Sequence, residues 1–275
     1  MSRHSDSGSS SVTTPHHRVG GYHEFAPPPD LAHAVEALWT HEAVGLQVVA
    51  HRVVPDAAVS LCFMGHPAPD GRSGAMRLRV IGPVTAPQLF APPIGHRMEA
   101  LRVKLEWCRP LLGIAPSEHA NAEPLYAEVR PDLAEPLEAR LMAGGTPADR
   151  LRLFVAFARE RLARNDAACG LLLASVDSLR RGAGATRVRE LACRLHVSER
   201  HLRRVMVDET GIAPRHFARI QRFHALLRAS DRARRPSWAA LAAHHGYADQ
   251  SHLIREVQHL AGVSPARLHE ERGAE

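Results

Sequence analysis

The sequence predicts an α+β protein in which a β-rich N-terminal domain with a helical extension precedes an all-α domain of two similar units joined by a long helix. Three observations support this prediction: alternating apolar residues early in the chain, helical spacing further on, and an internal repeat of ~50 residues near the end. At 275 residues, the chain is long enough for two ordinary domains.

The β-rich domain is predicted to occupy residues 19–181. Short apolar or alternating runs at residues 46–54, 59–64, 78–81 and 98–105 are separated by Pro- and Gly-rich pieces, which is typical of strands and turns. The first half of this domain is therefore predicted to form a sheet.

The helical extension and the domain borders follow from a change in composition and spacing. Leu133, Leu137 and Leu141 fall on one stripe of a helix, and helical spacing continues to the end of the domain. Two glycines and two alanines at residues 182–185 predict a linker. Residues 1–18 are rich in Ser, Thr and His and lack the apolar centre of a secretory signal, so they are predicted to be a disordered tail.

The composition excludes several classes of protein. Hydrophobic residues make up 45% and charged residues 23%, which is typical of a soluble globular protein. No apolar stretch approaches the ~20 residues that cross a bilayer, so no membrane association is expected. The cysteines lie far apart without metal-ligand spacing, so we expect free thiols in a reducing cytoplasm, no metal and no cofactor. They are Cys62, Cys108, Cys169 and Cys193.

Charge is unevenly distributed along the chain. Residues 1–182 contain 19 basic and 19 acidic residues, whereas residues 183–275 contain 16 and 10, so the net charge of +6 lies in the last third. A DNA duplex presents one phosphate charge every ~1.7 Å of its axis, and basic side chains that neutralise phosphates release counterions. The last third is therefore a candidate nucleic-acid surface, the alternative being an ordinary solvated face.

The same third of the chain contains two copies of one pattern. Leu-Ala, Leu, Gly and Pro recur at offsets of 50 or 51 residues, which predicts two related units in tandem. The matching pairs are Leu191-Ala192 with Leu241-Ala242, Leu202 with Leu253, Gly211 with Gly262, and Pro214 with Pro265.

The first unit has the pattern of a helix-turn-helix. Ser198 is a good N-cap for a helix that Gly211 ends, and Leu202, Val205 and Met206 fall on its apolar face. With about 100° between successive residues, the opposite face carries three arginines, as contacts in a DNA groove require. They are Arg200, Arg203 and Arg204.

The second unit repeats this plan. Ser237 caps one helix, Gly246-Tyr247 forms the turn, and Asp249 caps a second helix with Leu253 on its inner face. The outward or flanking residues of the second helix are Gln250, Ser251, His252 and Arg255. Between the units, residues 215–229 predict one long helix, which would let two recognition helices enter major-groove turns ~34 Å apart.

Residues 185–272 resemble the DNA-binding domain of the AraC/XylS family of bacterial transcription regulators, in which a long helix joins two helix-turn-helix units. The family usually has Phe where Tyr247 stands and aromatic residues in place of His252-Leu253 and Val257, which predicts looser packing of the second unit. The resemblance is carried by Leu191-Ala192, Ser198, Leu202, Gly211-Ile212-Ala213-Pro214, Leu241-Ala242, Gly246-Tyr247, Gln250-Ser251 and Gly262-Val263-Ser264-Pro265.

This resemblance implies a sequence-specific regulator whose DNA-binding domain spans residues 186–272 and whose partner is double-stranded DNA. It places the base contacts on Arg200, Arg203 and Arg204 and, in the second unit, on Gln250, Ser251, His252 and Arg255. It leaves open a contact with RNA polymerase, a small-molecule effector, and a monomeric or homodimeric state. The alternatives are a protein-interaction module with weakened DNA binding and an enzyme fused to a DNA-binding domain. No G-x-S-x-G, H-E-x-x-H or phosphate-loop motif supports an enzyme.

The N-terminal half resembles the corresponding region of a sub-group of these regulators, on the evidence of Trp39 and the strings at residues 52–56, 80–83 and 111–114. The resemblance does not give this region a function, but a chain that only binds DNA could stop at ~100 residues, so we expect an effector or dimerisation domain. A small-molecule pocket could be lined by aromatic residues with two polar anchors, the alternative being core aromatics and surface polar groups. The candidates are Trp39, Phe63, Phe90 and Trp107, with His51 and Asp56 as anchors.

Overall fold

The computed structural model describes residues 17–19, 21–43, 50–66, 74–164 and 168–274. The α+β class predicted from the sequence is confirmed, because strands occupy the first part of the chain and helices follow. The strands are β1 (His17–Val19), β2 (Tyr22–Phe25), β3 (Val35–Glu42), β4 (His51–Val53), β5 (Ala58–Gly65), β6 (Arg77–Ile81), β7 (Gln88–Phe90) and β8 (Arg97–Lys104).

The chain is helical after β8: one short 3-10 turn (Leu105–Trp107) leads into the first α-helix, and another (Pro116–Glu118) lies between the first and the second. Every helix in the described part of the chain is too short or too polar to cross a bilayer. The helices are α1 (Cys108–Leu112), α2 (Tyr126–Val129), α3 (Pro131–Ala143), α4 (Pro147–Arg164), α5 (Gly170–Arg181), α6 (Val188–Arg194), α7 (Glu199–Thr210), α8 (Pro214–Ser230), α9 (Trp238–His244), α10 (Gln250–Ala261) and α11 (Pro265–Ala274).

The N-terminal boundary differs from the prediction. Strand β1 starts at His17 and pairs antiparallel with β2, so His17 and Arg18 are strand residues and not the end of a disordered tail. The composition of a short polar segment does not reveal such pairing, because an edge strand can be polar on both faces. Residues 1–16 of the predicted tail, and residues 46–49 of the first predicted strand, lie outside the described residues.

Six strands form one antiparallel sheet in the order β1-β2-β3-β8-β5-β6, and β4 pairs with β7 in a second, two-stranded sheet. Side chains alternate between the two faces of a strand, which fixes what each face meets. On one face, Leu38, Leu61 and Leu101 are fully buried in a core shared with α3, α4 and α5. The opposite face carries Trp39 and Met98, which cluster with Phe90 of the small sheet.

An ion pair is buried between the large sheet and α4. Glu99 of β8 accepts a hydrogen bond from Arg150 of α4 at 2.9 Å, and both side chains are at most 5% exposed. Burial raises the pKa of Glu99, and the guanidinium of Arg150 opposes that shift. Arg150 also donates to the carbonyl of Gly144, so one side chain ties the sheet to the loop before α4.

The two helix-turn-helix units differ in how they join the rest of the protein. Leu202 and Met206 of α7 are buried in the same core as the N-terminal sheet and helices. The second unit has a separate core, in which Tyr247, Leu253 and Val257 are at most 6% exposed. These residues therefore close the second core without the aromatics of the family pattern, and the looser packing expected of this unit stays a prediction.

Candidate nucleic-acid interface

Helix α7 is bounded by two local signals that the sequence contains. The Ser198 hydroxyl accepts a hydrogen bond from the backbone N–H of His201 at 3.1 Å, and Gly211 ends the helix with φ +74°. A serine N-cap satisfies one of the free N–H groups of the first turn, and glycine adopts the left-handed conformation without steric cost. With both ends fixed, the fully buried Leu202 and Met206 set the rotation of the helix.

That rotation exposes all three arginines predicted to contact DNA: Arg200, Arg203 and Arg204. In the described part of the chain, neither Arg200 nor Arg203 has an ion-pair partner. Arg204 donates to Nδ1 of His201 at 3.0 Å, one turn earlier on the same helix. In the described part of the chain, the exposed face therefore presents the unpaired guanidinium groups of Arg200 and Arg203, and that of Arg204 with donors beyond its bond to His201, to an anionic or hydrogen-bonding partner.

Helix α10 is built in the same way. The Asp249 carboxylate accepts from the backbone N–H of His252 at 2.7 Å, and Gly262 ends the helix with φ +73°. The turn before each of these two helices also matches, since His196 and Gly246 both adopt left-handed backbone, with φ of 54° and 72°. The repeat in sequence is thus a repeat in backbone conformation.

The predicted residues of the second unit are not equivalent to one another. Gln250, Ser251 and Arg255 are exposed and have no ion pair in the regions that the structure describes. His252 is half-buried: its Nδ1 accepts from the backbone N–H of Ala248 at 3.2 Å, and its ring packs edge-on against Tyr247. Its Nδ1 is therefore engaged within the protein, and only Nε2 is available as a donor to a partner.

Helix α8 connects the two units as one element. Its Phe217 and Ile220 belong to the core of the first unit, and its Phe223, Leu226 and Leu227 belong to the core of the second. Arg219 of α8 forms a two-bond ion pair with Glu256 of α10, with N–O distances of 2.8 and 3.1 Å. Such a bidentate pair restricts orientation as well as distance, so α10 is held in a fixed relation to α8.

Arg222 of α8 also connects this helix to other parts of the domain. Its guanidinium lies 5.7 Å from the centre of the Tyr247 ring, and its Nη2 donates to the carbonyl of Gly184 at 2.8 Å. Gly184 belongs to the predicted linker, and a Cβ at this position would lie 1.9 Å from the carbonyl oxygen of Ala218. The segment at residues 182–185 is therefore packed tightly against α8.

Contacts from the N-terminal part reach both units. Ser117 donates to the backbone carbonyl of Asp208, and Arg109 pairs with Glu209, both at the end of α7. Arg52 of β4 donates to Glu271 of α11 at 2.8 Å and to the last carbonyl of α10, that of Ala261, at 3.0 Å. Sequence reasoning missed these contacts because each joins residues about 90 to 220 positions apart without a local signal.

A cavity of ≈ 840 Å³ lies between the large sheet, the small sheet and the helices α8 and α11. Of the four aromatic residues proposed to line a pocket, Trp39 and Phe90 do line it, as do the proposed anchors His51 and Asp56. Phe63 does not, because it points into the core on the opposite face of the sheet.

Trp107 also lies elsewhere, with its ring against that of His33. The sequence did not indicate that helices of the C-terminal domain contribute to the cavity wall. Gln221 and His224 of α8 and His269 of α11 do so. His224 Nε2 donates to the carbonyl of Pro55 at 2.8 Å, which links α8 to the segment that carries Asp56.

Burial shifts the pKa of several groups in the cavity wall. It raises the pKa of the Asp56 carboxyl to about 6, against the opposing effect of the nearby Arg102 guanidinium. It lowers the pKa of His41 to about 4. The pKa of His224 is also lowered by burial, which its bond to Pro55 partly offsets. His41 and His224 therefore favour the uncharged form at neutral pH.

Among the described residues, no group of three or more His, Cys, Asp or Glu side chains converges. Cys62 and Cys108 are buried, and burial raises the pKa of both thiols. Cys169 and Cys193 are exposed. The thiols in the core are therefore unreactive at neutral pH, since the thiolate is the nucleophile and metal ligand.

Comparison with known proteins gives two family matches. Residues 191–271 match the family model of a helix-turn-helix domain, and residues 23–123 match a domain of unknown function (DUF6597). The chain carries an AraC-type helix-turn-helix domain. This domain covers α7, α8 and α10, and the protein is a DNA-binding transcription regulator.

Solved structures similar to this chain include ToxT from Vibrio cholerae O395, which is 10% identical with a TM-score of 0.43. The match covers 83% of the present chain and 98% of ToxT. Wild-type ToxT with a bound unsaturated fatty acid, from strain SCE256, is 9% identical with a TM-score of 0.41, and the match covers 83% and 96% of the two chains. Comparison with curated proteins gives no match.

Proposed function

We propose that this regulator binds DNA sequence-specifically by placing α7 and α10 in adjacent turns of the major groove. One observation carries the proposal: two helices of matching backbone construction each expose free polar or cationic side chains, while the single helix α8 belongs to the cores of both units. Recognition helices that contact successive major-groove turns on one face of B-DNA must lie ~34 Å apart, and a rigid connector sets such a spacing.

The proposed contact residues of the two units can recognise different groups of the DNA. Arg200, Arg203 and Arg204 can each place two donors against the guanine edge or a phosphate, as guanidinium groups do. In the second unit, Gln250 can pair with adenine, and Arg255 with guanine or phosphate; these two join Ser251 and His252 as the proposed contacts. The DNA-binding domain is then residues 186–272.

The N-terminal region, residues 19–181, is proposed to control DNA binding by a small molecule or by dimerisation, in a cytoplasmic protein that also contacts RNA polymerase. Support for ligand control comes from the cavity. Its wall is formed by strands of the N-terminal region together with helices of the DNA-binding domain. A ligand in the cavity would contact both domains. It would favour one arrangement of the two domains over another if its contacts differed between the arrangements.

Salt titration of DNA affinity tests the main proposal. The full chain is titrated against a labelled duplex from its own upstream region and against a scrambled duplex of the same composition, at several salt concentrations. We expect the upstream duplex to bind more tightly and the logarithm of affinity to fall linearly with the logarithm of salt. Arg152→Ala, in an exposed arginine of α4 outside the DNA-binding domain, is the matched control and should bind as the wild type does. Equal affinity for both duplexes would favour a protein-interaction module instead.

A further inference from the structure

The cavity has the size and composition of a small-molecule site. Its volume of ≈ 840 Å³ falls within the range of ~300 to 1,000 Å³ that is usual for such sites. Its apolar part is formed by Tyr22, Trp39, Phe90 and Met98, which lie on the sheet face turned away from the main core. Its polar part lies where the sheet meets α8.

The charged groups of the wall are not evenly paired. Four of its cations already have carboxylate partners, and Lys104 donates to the backbone carbonyl of Ala32 at 2.7 Å. Within the described residues, three wall carboxylates form no ion pair, those of the half-buried Asp56 and of the exposed Glu36 and Glu123, and the wall arginine without one is the exposed Arg228. The paired cations are Arg52 with Glu271, Arg102 with Glu24, Arg180 with Glu106, and Arg272 with Asp231.

Asp56 is one of the wall carboxylates that form no ion pair within the described residues. The carboxylates of Asp56, Glu24 and Glu36 all act on the guanidinium of Arg102, with Lys104 as the next cation on the same strand. Arg102 already pairs with Glu24, so among the described residues the carboxylate of Asp56 has no ion pair of its own. A proton on Asp56 neutralises its charge only below about pH 6, the pKa to which burial raises this carboxyl, and at pH 7.5 the carboxylate is ionised. A cation in the cavity would neutralise it.

Asp56 lines the cavity, and its carboxylate accepts hydrogen bonds from the backbone N–H groups of Val84, 3.5 Å from Oδ1, and Ala58. Aromatic rings stand in the same wall, among them Trp39, whose indole N–H is directed to Ser60 at 3.4 Å. The faces of aromatic rings attract cations, most strongly when water is excluded.

We propose that this cavity binds an organic cation with an aromatic or branched apolar body, whose charge is held by Asp56 and whose body packs against Trp39 and Phe90. The inference rests on the ligand control proposed above and names its ligand class. An organic anion is disfavoured because the inner arginines are already paired and the free carboxylates would repel it.

Two ions of matched size and opposite charge test the proposal. Tetraphenylphosphonium and tetraphenylborate have nearly the same shape, so a difference in affinity reports the sign of the charge. Isothermal titration calorimetry with the full chain, at pH 7.5 and without DNA, should give at least about tenfold tighter binding of the cation. Equal or tighter binding of tetraphenylborate, or no binding of the cation, would overturn the proposal. Neither result bears on DNA binding, which the salt titration tests separately.

Three variants locate the bound cation. Asp56→Asn keeps the shape of the side chain and should weaken tetraphenylphosphonium binding about tenfold, as expected for loss of a charged partner. Asp132→Asn, in an exposed aspartate of α3, is the matched control and should leave the affinity unchanged. If Asp56→Asn does not fold, Trp39→Phe serves: quenching of tryptophan fluorescence by the bound cation should be lost in this variant. Unchanged affinity in Asp56→Asn, or quenching that persists in Trp39→Phe, contradicts the proposed site.

Discussion

The substitution Arg203→Ala gives the sharpest test of the recognition helix. Arg203 is exposed on α7 and, among the described residues, has no ion-pair partner, whereas Leu202 beside it is fully buried. Replacing it therefore removes no packing, and the free energy of unfolding should change by less than about 0.5 kcal/mol. Any larger effect on DNA binding then belongs to the interface and not to the fold.

The size of the effect depends on what the guanidinium contacts. A two-bond contact with a guanine edge contributes ~1 to 3 kcal/mol of discrimination, which corresponds to a loss of about 5-fold to 150-fold against the scrambled duplex. A phosphate contact instead weakens both duplexes equally and reduces the salt slope by about one. Fluorescence anisotropy with both duplexes, at two salt concentrations, separates these cases.

The same assay can refute the reasoning. If Arg203→Ala binds both duplexes with wild-type affinity and wild-type salt dependence, α7 does not contact DNA. Arg255→Ala on α10 supplies an internal check, because α7 and α10 have separate cores and their exposed side chains share no partner. The losses in free energy of the two single variants should therefore add in the double variant to within about 0.5 kcal/mol.

Three further predictions concern the fold. Glu99→Ala leaves the buried guanidinium of Arg150 without this carboxylate. Urea denaturation should therefore show a loss of ~3 to 5 kcal/mol in the free energy of unfolding. A loss below about 1 kcal/mol would show that the ion pair contributes little to stability. Asp249→Ala removes the N-cap of α10 and should cost ~1 kcal/mol in the same measurement, with no cost if another group caps the helix. The pKa of His41 is about 4 in the folded protein, below the ordinary value of 6.5. Between these pH values the unfolded chain therefore binds more protons than the folded protein. The free energy of unfolding should fall as the pH is lowered from 6.5 to 4. His41→Gln should make that fall shallower, and an unchanged pH profile would mean that His41 is not shielded from solvent.

The C-terminal domain was predictable because its signals are local. Ser198, Asp249, Gly211 and Gly262 each fix a helix end within three or four residues of themselves, so α7 and α10 end within one residue of their predicted limits. The repeat then doubled the evidence for each signal. The outward direction of Arg203 followed from helical geometry once the buried residues were identified.

The cavity was only partly predictable because it depends on contacts between distant segments. Alternation identifies Trp39 and Phe63 equally well as inward residues, but it does not say which face of the sheet meets the main core. Phe63 faces that core, whereas Trp39 faces the cavity. The role of His224 in the wall was not visible at all, because its partner Pro55 lies 169 positions away.

Hydroxyl-radical footprinting of the full chain on its upstream DNA tests the account most directly. Two recognition helices on one face of the duplex should protect two segments centred about 10 to 10.5 base pairs apart. Protection of one segment should weaken in Arg203→Ala and that of the other in Arg255→Ala. A single protected segment, or a footprint that neither substitution alters, would contradict binding by two coupled helix-turn-helix units.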